Sequence, residues 1–291
     1  MDPINILLQK LIFIETYQIK IEVNSNFQLQ MYRSAQFKSN FKYMSNHPEI
    51  IKVDNGGKIT AIRPGSSIIT LSELNCKKAI IKVLSIVRNG LININILNSH
   101  NASLYQNVMI VAHPDDEILW GGANLIKDRY FIICLTNGYN LIRSNEFKQV
   151  LNFTKNNGII LNYPDAQDDI IDDWSEVKIG ILKDLTTILN YKYWNKIVTY
   201  DKEGTYGHIQ HKKTYEYVTQ IAKKINRYDS LYYFGKFYKK NQIPKNLTRI
   251  SDKELEYKIK AIDIYKSQKN GIYENWFHSL PYENWILASK V

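Results

Sequence analysis

The chain has 291 residues, of which 44% are hydrophobic and 23% are charged. This composition is normal for a soluble globular protein, and the length suffices for one large domain or two ordinary ones. The formal net charge of +10 is compatible with an anionic partner. Because the sequence has no long run of lysine or arginine and no nucleic-acid-binding motif, we expect no nucleic-acid partner.

Targeting signals and disulfides are not expected from this sequence. Met1 to Lys10 lacks the pattern of a signal peptide, and no apolar stretch approaches the ~20 residues that a membrane helix needs. Cys76 and Cys134 fall in regions that we assign to different domains, so a reduced compartment is the default. We therefore expect a cytoplasmic or intracellular protein without a transmembrane segment, and contact with a membrane surface stays open.

From about residue 10 to residue 88 the sequence follows a pattern with a period of two. Tyr17, Ile19, Ile21 and Val23 alternate with polar residues, which is typical of a half-buried strand. The alternation recurs along the segment, with turn residues between the apolar runs: Phe27, Leu29 and Met31, then Ile50 to Val53, Lys58 to Ile62, Ser67 to Leu71 and Lys78 to Val83. Short strands at this spacing predict an all-β sandwich or barrel.

Part of this segment resembles the bacterial immunoglobulin-like (Big) domain. The resemblance lies in the run from Ile51 to Thr70, with its Val-Asp pair, glycine turn, Ile-Thr-Ala strand and second Ile-Thr strand. It implies an immunoglobulin-like β-sandwich over residues 1–90 that serves as a spacer or an adhesive module. The segment has no cluster of side chains suited to catalysis.

The pattern changes after a polar, asparagine-rich segment, residues 91–105, which we assign as a linker. In the second domain, residues 106–291, short apolar runs alternate with longer stretches of helical spacing. The expected strands are Val108 to Ala112, Tyr130 to Leu135, Ile159 to Leu161, Lys196 to Tyr200 and Ser230 to Phe234, and the expected helices are Ile118 to Asp128, Arg143 to Asn157, Trp174 to Asn190 and His211 to Asn226. This alternation predicts an α/β, Rossmann-like domain whose sheet is mostly parallel and flanked by helices.

Two polar clusters follow strands of this predicted sheet. One is the run from His113 to Glu117, and the other contains His208 and His211. Ligands of open α/β sheets bind at the carboxyl ends of the strands, and several charges buried there need a compensating cation. Imidazole nitrogen and carboxylate oxygen suit zinc, with other first-row divalent metals as alternatives. Taken alone, the first cluster could equally be a turn in which an aspartate caps the next helix.

At these residues the sequence resembles the LmbE/PIG-L-like deacetylase family. Its signature Ala-His-Pro-Asp-Asp-Glu is present whole at Ala112 to Glu117, and its Gly-His-x-Asp-His signature is present in altered form at Gly207 to His211. Weaker similarities lie at Leu135 to Gly138, Arg143 to Glu146, Asn157 to Asp165 and Lys260 to Gln268, the last of which resembles a C-terminal helix.

The resemblance implies a zinc-dependent hydrolase that removes the acetyl group from a conjugate of an N-acetylglucosamine-type amino sugar. One zinc ion per chain would be bound by His113, Asp116 and His211. Asp115 would be the general base, and a protonated His208 would stabilise the developing negative charge or act as general acid. Arg143 and Asp165 would contact the substrate.

One departure from the family pattern keeps alternatives open. Gln210 stands where the family has aspartate, which predicts a less basic His208 and supports the alternative of a catalytically weakened protein for carbohydrate binding or adhesion. A metal-dependent hydrolase of another bond, such as a phosphoester, would need more carboxylate ligands than the sequence offers. The net charge favours an anionic carrier for the sugar.

Overall fold

The structure, a computed structural model, describes residues 16–29, 41–73 and 76–291 of the chain. It divides into two compact units, Met1–Arg88 and Asn89–Val291. The expectations for Met1 to Lys10, for Met31 and for the side chain of Cys76 lie outside the described residues. Within the described residues, the longest helices are too short and too polar to cross a bilayer.

The described part of the first unit consists of two sheets. One has the strand order β1-β7-β6-β3 and the other has the order β2-β5-β4. Their strands are β1 (Thr16–Glu22), β2 (Asn26–Gln28), β3 (Lys42–Ser45), β4 (Ile51–Val53), β5 (Lys58–Ala61), β6 (Gly65–Glu73) and β7 (Cys76–Ile86). All described pairs are antiparallel except β1 with β7, which is parallel.

The two sheets of the first unit share one hydrophobic core. Ile21, Ile69 and Val83 from the first sheet pack in one cluster with Ile51 and Ile59 from the second. Because successive residues of a strand point to opposite faces, the alternating pattern of the sequence gives each sheet one apolar face that the other can cover. Over the described residues, the all-β character of this unit agrees with the sequence, and its immunoglobulin-like topology stays a prediction.

The second unit contains a six-stranded sheet of order β10-β9-β8-β13-β14-β15. Every neighbouring pair is parallel except β14 with β15, which is antiparallel. Its strands are β8 (Asn107–Val111), β9 (Tyr130–Thr136), β10 (Asn157–Tyr163), β13 (Lys196–Thr199), β14 (Leu231–Tyr233) and β15 (Ile286–Leu287), and a separate hairpin joins β11 (Ala166–Gln167) to β12 (Ile170–Ile171). The predicted α/β architecture with a mostly parallel sheet is confirmed.

The strand order explains where a site forms. All residues of β8 and β9 are buried, as expected for central parallel strands covered on both faces. From β8 the chain proceeds to β9 and β10 on one side, and β13 and β14 lie on the other. The order therefore reverses between β8 and β13, and the carboxyl ends of strands at such a reversal flank a crevice.

Eight helices belong to the described part of the second unit, and four of them match the predicted ones. They are α1 (Ile94–Ser99), α2 (Asp116–Lys127), α3 (Leu141–Phe153), α4 (Lys178–Asn190), α5 (Gly204–Gly207), α6 (Ile209–Lys224), α7 (Asp252–Ile262) and α8 (Lys269–Trp276). Helix α2 packs against α7, and α4 packs against α6.

Segment 91–105 contains α1 and belongs to the second compact unit. The buried carboxylate of Asp184 accepts hydrogen bonds from the backbone N–H groups of Leu91 and Ile92 and from the hydroxyl of Tyr163. The start of the expected linker is therefore held against α4. The exact domain boundaries, 1–90, 91–105 and 106–291, stay a prediction.

The C-terminal helix expected from Lys260 to Gln268 is wrong. Helix α7 ends at Ile262, and the next helix begins at Lys269. Between them, the Tyr265 hydroxyl donates to Glu117, and Ser267 donates to Glu146 from both its backbone N–H and its hydroxyl. These long-range hydrogen bonds hold the segment in turns.

Candidate metal centre and active site

Side chains from two sequence-distant loops converge at the carboxyl ends of β8 and β13. His113 follows β8, Asp116 begins α2, and His211 lies in the first turn of α6. His113 Nδ1 lies 3.2 Å from Asp116 Oδ2 and 3.2 Å from His211 Nε2, and His211 Nε2 lies 3.3 Å from Asp116 Oδ2. Three potential ligand atoms thus form a nearly equilateral triangle.

The triangle has the dimensions of a metal site. Ligands about 2.0–2.2 Å from a tetrahedral zinc ion lie roughly 3.3 Å apart, and a catalytic site has three protein ligands and one open position. Two imidazole nitrogens and one carboxylate oxygen are also the donor types that zinc and its first-row neighbours bind. His208 lies nearby, since ligand atoms of His113, His208 and His211 lie within 4.8 Å of one another. The residues present therefore fit a single divalent ion.

Asp116 is fixed from both sides of its carboxylate. Trp120 Nε1 donates to Oδ1 at 2.8 Å, and the Tyr200 hydroxyl donates to Oδ2 at 2.6 Å. Although burial alone raises the pKa of Asp116, the neighbouring His211 and His113 hold it well below its usual value. The carboxylate is therefore ionised and held in one orientation.

The tautomer of His211 is set by Thr205. The Thr205 hydroxyl donates to the Gly204 carbonyl at 2.6 Å, so its oxygen is free to accept from His211 Nδ1 at 3.0 Å. The proton on Nδ1 leaves the lone pair of Nε2 directed at the triangle. Thr205 has φ 59° and Gly204 has φ 63°, an uncommon backbone conformation for threonine that brings its hydroxyl to the ring.

His113 is oriented by Gln210. Gln210 Oε1 accepts from His113 Nε2 at 2.7 Å, so Nδ1 faces the triangle. Although burial lowers the pKa of His113, hydrogen bonds to Asp116 and Asp165 raise it to about 10. The two carboxylates therefore favour a positive charge at this imidazole, either a proton or a metal ion.

Asp115 stands beside the triangle on a strained backbone. Its φ is 115°, and its side chain makes no capping hydrogen bond to α2. The Asp115 N–H donates to Glu117 Oε2 at 3.1 Å, and Glu117 is held in turn by Tyr265. Burial raises the pKa of Asp115 well above its ordinary value, against the lowering effect of Arg143. This conformation turns the carboxylate away from the helix end and toward the cavity.

Arg143 and Asp165, the expected substrate contacts, are largely engaged within the protein. Arg143 Nη2 donates to the Pro114 carbonyl at 2.8 Å and lies 3.5 Å from Asp115 Oδ2, while Nη1 lies 3.6 Å from Asp165 Oδ2. Asp165 Oδ2 also accepts from Asn137 Nδ2 at 2.8 Å. Arg143 thereby supports the loop that carries the aspartates, and its contact with substrate stays a prediction.

His208 is a neutral hydrogen-bond donor in this arrangement. Its Nδ1 accepts from the backbone N–H of Gln210 at 3.3 Å, so the neutral ring carries its proton on Nε2. Burial, reinforced by the neighbouring His113 and His211, lowers the pKa of His208 to about 4. The imidazole is therefore uncharged near pH 7, unlike the protonated ring expected from the sequence.

One open cavity of about 290 Å³ connects these groups. Asp115, Asp116 and His208 line it, together with His113, Arg143 and Asp165. Helix α8 also lines the cavity, through Gly271, Ile272, Asn275 and Trp276. Six of the seven site residues predicted from the sequence thus face one cavity, and the seventh, His211, lies fully buried beside it.

Several site residues were missed or misassigned from the sequence. Gln210 acts on His113 through its side chain and meets His208 only through its backbone N–H. Tyr200 and Thr205 fix the proposed metal ligands, yet neither belongs to a motif. Trp120 is buried and donates to Asp116 from one turn further along α2. In the sequence, only their position next to the two polar clusters could have identified these residues as part of the site.

The contacts of Gln210 predict that glutamate is not tolerated there. Gln210 is fully buried, and its Nε2 donates to three backbone carbonyls, those of Pro164, Asp165 and Asp172. A carboxylate at this position would face those oxygens without donors. We expect Gln210→Glu to lower the free energy of unfolding by about 1–3 kcal/mol, measured by denaturant unfolding. Gln220→Glu, an exposed change on the same helix, is the matched control, and equal stability of the two variants would contradict this account.

Comparison with known proteins finds a family match within the second unit. Residues 108–222 match the family described as PIG-L: GlcNAc-PI de-N-acetylase. The chain is 28% identical over 186 residues to an uncharacterised protein of Acanthamoeba polyphaga mimivirus, covering 58% of this chain and 74% of that protein. It is 26% identical over 129 residues to a probable N-acetylglucosaminyl-phosphatidylinositol de-N-acetylase of Schizosaccharomyces pombe, covering 40% of this chain and 51% of that protein.

Two solved structures are similar to parts of this chain. A triple mutant of a deacetylase from the teicoplanin biosynthetic pathway has a TM-score of 0.48 at 13% identity, covering 62% of this chain and 95% of that chain. A pseudoaglycone deacetylase has a TM-score of 0.45 at 13% identity, covering 58% of this chain and 84% of that chain. On the family match, the chain carries over residues 108–222 a domain of the PIG-L (LmbE-like) family of deacetylases.

Proposed function

We propose that the second unit is a zinc-dependent hydrolase that removes acetyl from an N-acetylated amino sugar of the N-acetylglucosamine type. The observation that carries the proposal is the triangle of His113 Nδ1, Asp116 Oδ2 and His211 Nε2, with sides of 3.2–3.3 Å, beside a buried carboxylate in one cavity. The family match and the name of the fission-yeast relative support amino-sugar deacetylation.

In this proposal one zinc ion is held by those three side chains. When bound, the ion supplies Lewis acidity, polarising the amide carbonyl and lowering the pKa of a coordinated water to about 7. Tyr200 and Thr205 keep two of the ligands in the orientation that binding requires. Such outer partners typically change metal affinity or activity by about 10–100-fold when removed.

Asp115 moves the proton in the proposed reaction. A carboxylate oxygen of Asp115 accepts a proton from the attacking water and later delivers it to the departing nitrogen, which leaves as the amine while acetate is released. Burial raises the pKa of Asp115, which makes it a stronger base than an exposed aspartate. Arg143 and Glu117 keep this carboxylate at the cavity through side-chain and backbone contacts.

His208 stabilises the oxygen of the acetyl group as negative charge develops. Its Nε2–H donates a hydrogen bond to that oxygen, a type of contact worth about 3 kcal/mol in other hydrolases. Since burial lowers the pKa of His208 to about 4, we assign it as a neutral donor.

The alternative of a weakened carbohydrate-binding or adhesion protein is not favoured. Its support is Gln210, which replaces the family's aspartate and is expected to make His208 less basic because an amide supplies no negative charge. In the structure Gln210 orients His113 through a hydrogen bond of 2.7 Å, which is a task that an amide oxygen performs as well as a carboxylate oxygen. The departure from the family pattern is thus compatible with catalysis.

The test is acetate release from N-acetylglucosamine conjugates by the full chain. We expect activity that disappears when a chelator removes the metal and returns with one equivalent of Zn²⁺ per chain. Activity that persists in protein shown to be free of metal would contradict the zinc proposal. Absence of acetate release from every N-acetyl amino sugar by zinc-loaded protein would contradict the deacetylase proposal.

A further inference from the structure

Two residues that precede β15 contact the backbone of α2 in the middle of that helix. Glu283 accepts hydrogen bonds from the backbone N–H groups of Ala123 at 2.8 Å and Asn124 at 3.2 Å. Trp285 Nε1 donates to the Trp120 carbonyl at 2.9 Å. In a regular helix the Asn124 N–H and the Trp120 carbonyl bond to each other. Both partners of one helical backbone pair are therefore also bound from outside the helix.

Glu283 is itself held firmly. Its carboxylate forms an ion pair of 2.9 Å with Lys258 of α7 and accepts from Asn124 Nδ2 at 3.0 Å. The side chains of Lys258 and Glu283 are 0% and 1% exposed. Separating them would leave an uncompensated buried charge, so the residues before β15 are fixed against α2 and α7.

Two glycines of α2 permit this close approach. A Cβ atom on Gly121 would lie 3.0 Å from Trp285 Cζ2, and a Cβ atom on Gly122 would lie 2.9 Å from Lys258 Cγ. The Trp285 ring also packs against Tyr130, with ring centroids 6.0 Å apart. The indole is therefore confined by packing, and its N–H is directed at the helix carbonyl.

Trp120 connects this contact to the proposed metal site. Its carbonyl accepts from Trp285, and its own Nε1 donates to Asp116 Oδ1 at 2.8 Å. The other oxygen of Asp116 belongs to the triangle of potential ligand atoms. Trp285 is not among the described residues that line the active-site cavity. Its effect on the site would therefore pass through Trp120.

We propose that Trp285, held in place by Glu283, is a positioning residue for the metal ligand Asp116 and raises the affinity of the site for zinc. This inference rests on the proposed function, since zinc is the ion proposed for the triangle. A ligand already held in its binding orientation loses less freedom when the ion arrives. Fixing the Trp120 backbone fixes the indole that holds Asp116 Oδ1.

The test is the zinc affinity of the full chain, measured by competition with a chelator. Trp285→Phe keeps an aromatic ring and removes the N–H, and we expect zinc to bind about three- to tenfold more weakly. Trp194→Phe is the matched control, because Trp194 Nε1 donates to a backbone carbonyl at the same distance, 2.9 Å, in the same unit but outside the cavity lining. It should lose stability and keep its zinc affinity.

A second variant keeps the test informative if Trp285→Phe does not fold. Gly121→Ala retains both tryptophans and places a methyl group 3.0 Å from the Trp285 ring. Displacement of the ring should weaken zinc binding at least about threefold. Unchanged zinc affinity in the folded variants, or an equal loss in Trp194→Phe, would overturn the proposal.

A double-mutant cycle tests the route through Trp120. Trp120→Phe removes the hydrogen bond to Asp116 and should weaken zinc binding by about 10–100-fold. Adding Trp285→Phe to that variant should weaken it no further, because the connection to Asp116 is already lost. Fully additive losses would contradict a positioning role through Trp120. The same pattern of zinc affinities in a protein that releases no acetate would leave the positioning role standing and contradict only the deacetylase function.

Discussion

Asp116→Asn is expected to abolish zinc binding and, with it, acetate release. Both oxygens of Asp116 accept hydrogen bonds, Oδ1 from Trp120 Nε1 and Oδ2 from the Tyr200 hydroxyl and the His113 N–H. An amide nitrogen in either place would face a donor, and the negative charge between the two imidazoles would be lost. We expect zinc affinity to fall by more than about 100-fold. Removing a residue that only hydrogen-bonds to a metal ligand typically costs about 10–100-fold, and loss of a ligand itself should cost more.

Zinc content and competition with a chelator measure this loss directly, beside the rate of acetate release. Asp229→Asn, an exposed change in the same unit, is the matched control and should keep both zinc and activity. Retention of one zinc with wild-type affinity by the Asp116→Asn variant would show that the carboxylate is not a ligand. The histidine group of His113, His208 and His211 would then be the alternative metal site.

The sequence was sufficient to predict the scaffold of the second unit. Apolar runs such as Val108 to Ala112 and Lys196 to Tyr200 are short and continuous, and longer stretches of helical spacing separate them, so run length together with the period distinguishes strand from helix. The placement of both polar clusters at carboxyl ends then followed from the parallel order of the strands. For the same reason His113 and His211, 98 residues apart, could be expected in one place.

The contacts around the site could not be predicted in the same way. Whether Gln210 reaches His113 or His208 depends on the orientation of α6 at its first turn, which no sequence period specifies. The turns at Tyr265 and Ser267 are held by glutamates more than 100 residues away, so local helical spacing led to a wrong expectation there. The contacts of Arg143 with Pro114 and Asp165 are another example. They depend on the tertiary fold, so the sequence around Arg143 does not predict them.

Asp115→Asn should separate catalysis from metal binding. Asn is nearly isosteric with Asp and tolerates positive φ better than most residues, so the backbone at φ 115° and its hydrogen bond to Glu117 should persist. The three proposed ligands are untouched, so zinc should remain bound. Loss of the general base should lower kcat by about 10²–10⁴-fold, with a smaller change in KM.

The decisive readout is the pair of zinc content and kcat measured on the same preparation. Asp116→Asn should lose both, whereas Asp115→Asn should keep zinc and lose turnover, because only Asp116 Oδ2 lies 3.2–3.3 Å from the two imidazoles. A fall in kcat of less than about tenfold would remove Asp115 from the role of base. The proton would then have to pass to another group in the cavity, and Asp165, which lies 3.3 Å from His113 Nε2, would be the carboxylate to examine by the same substitution.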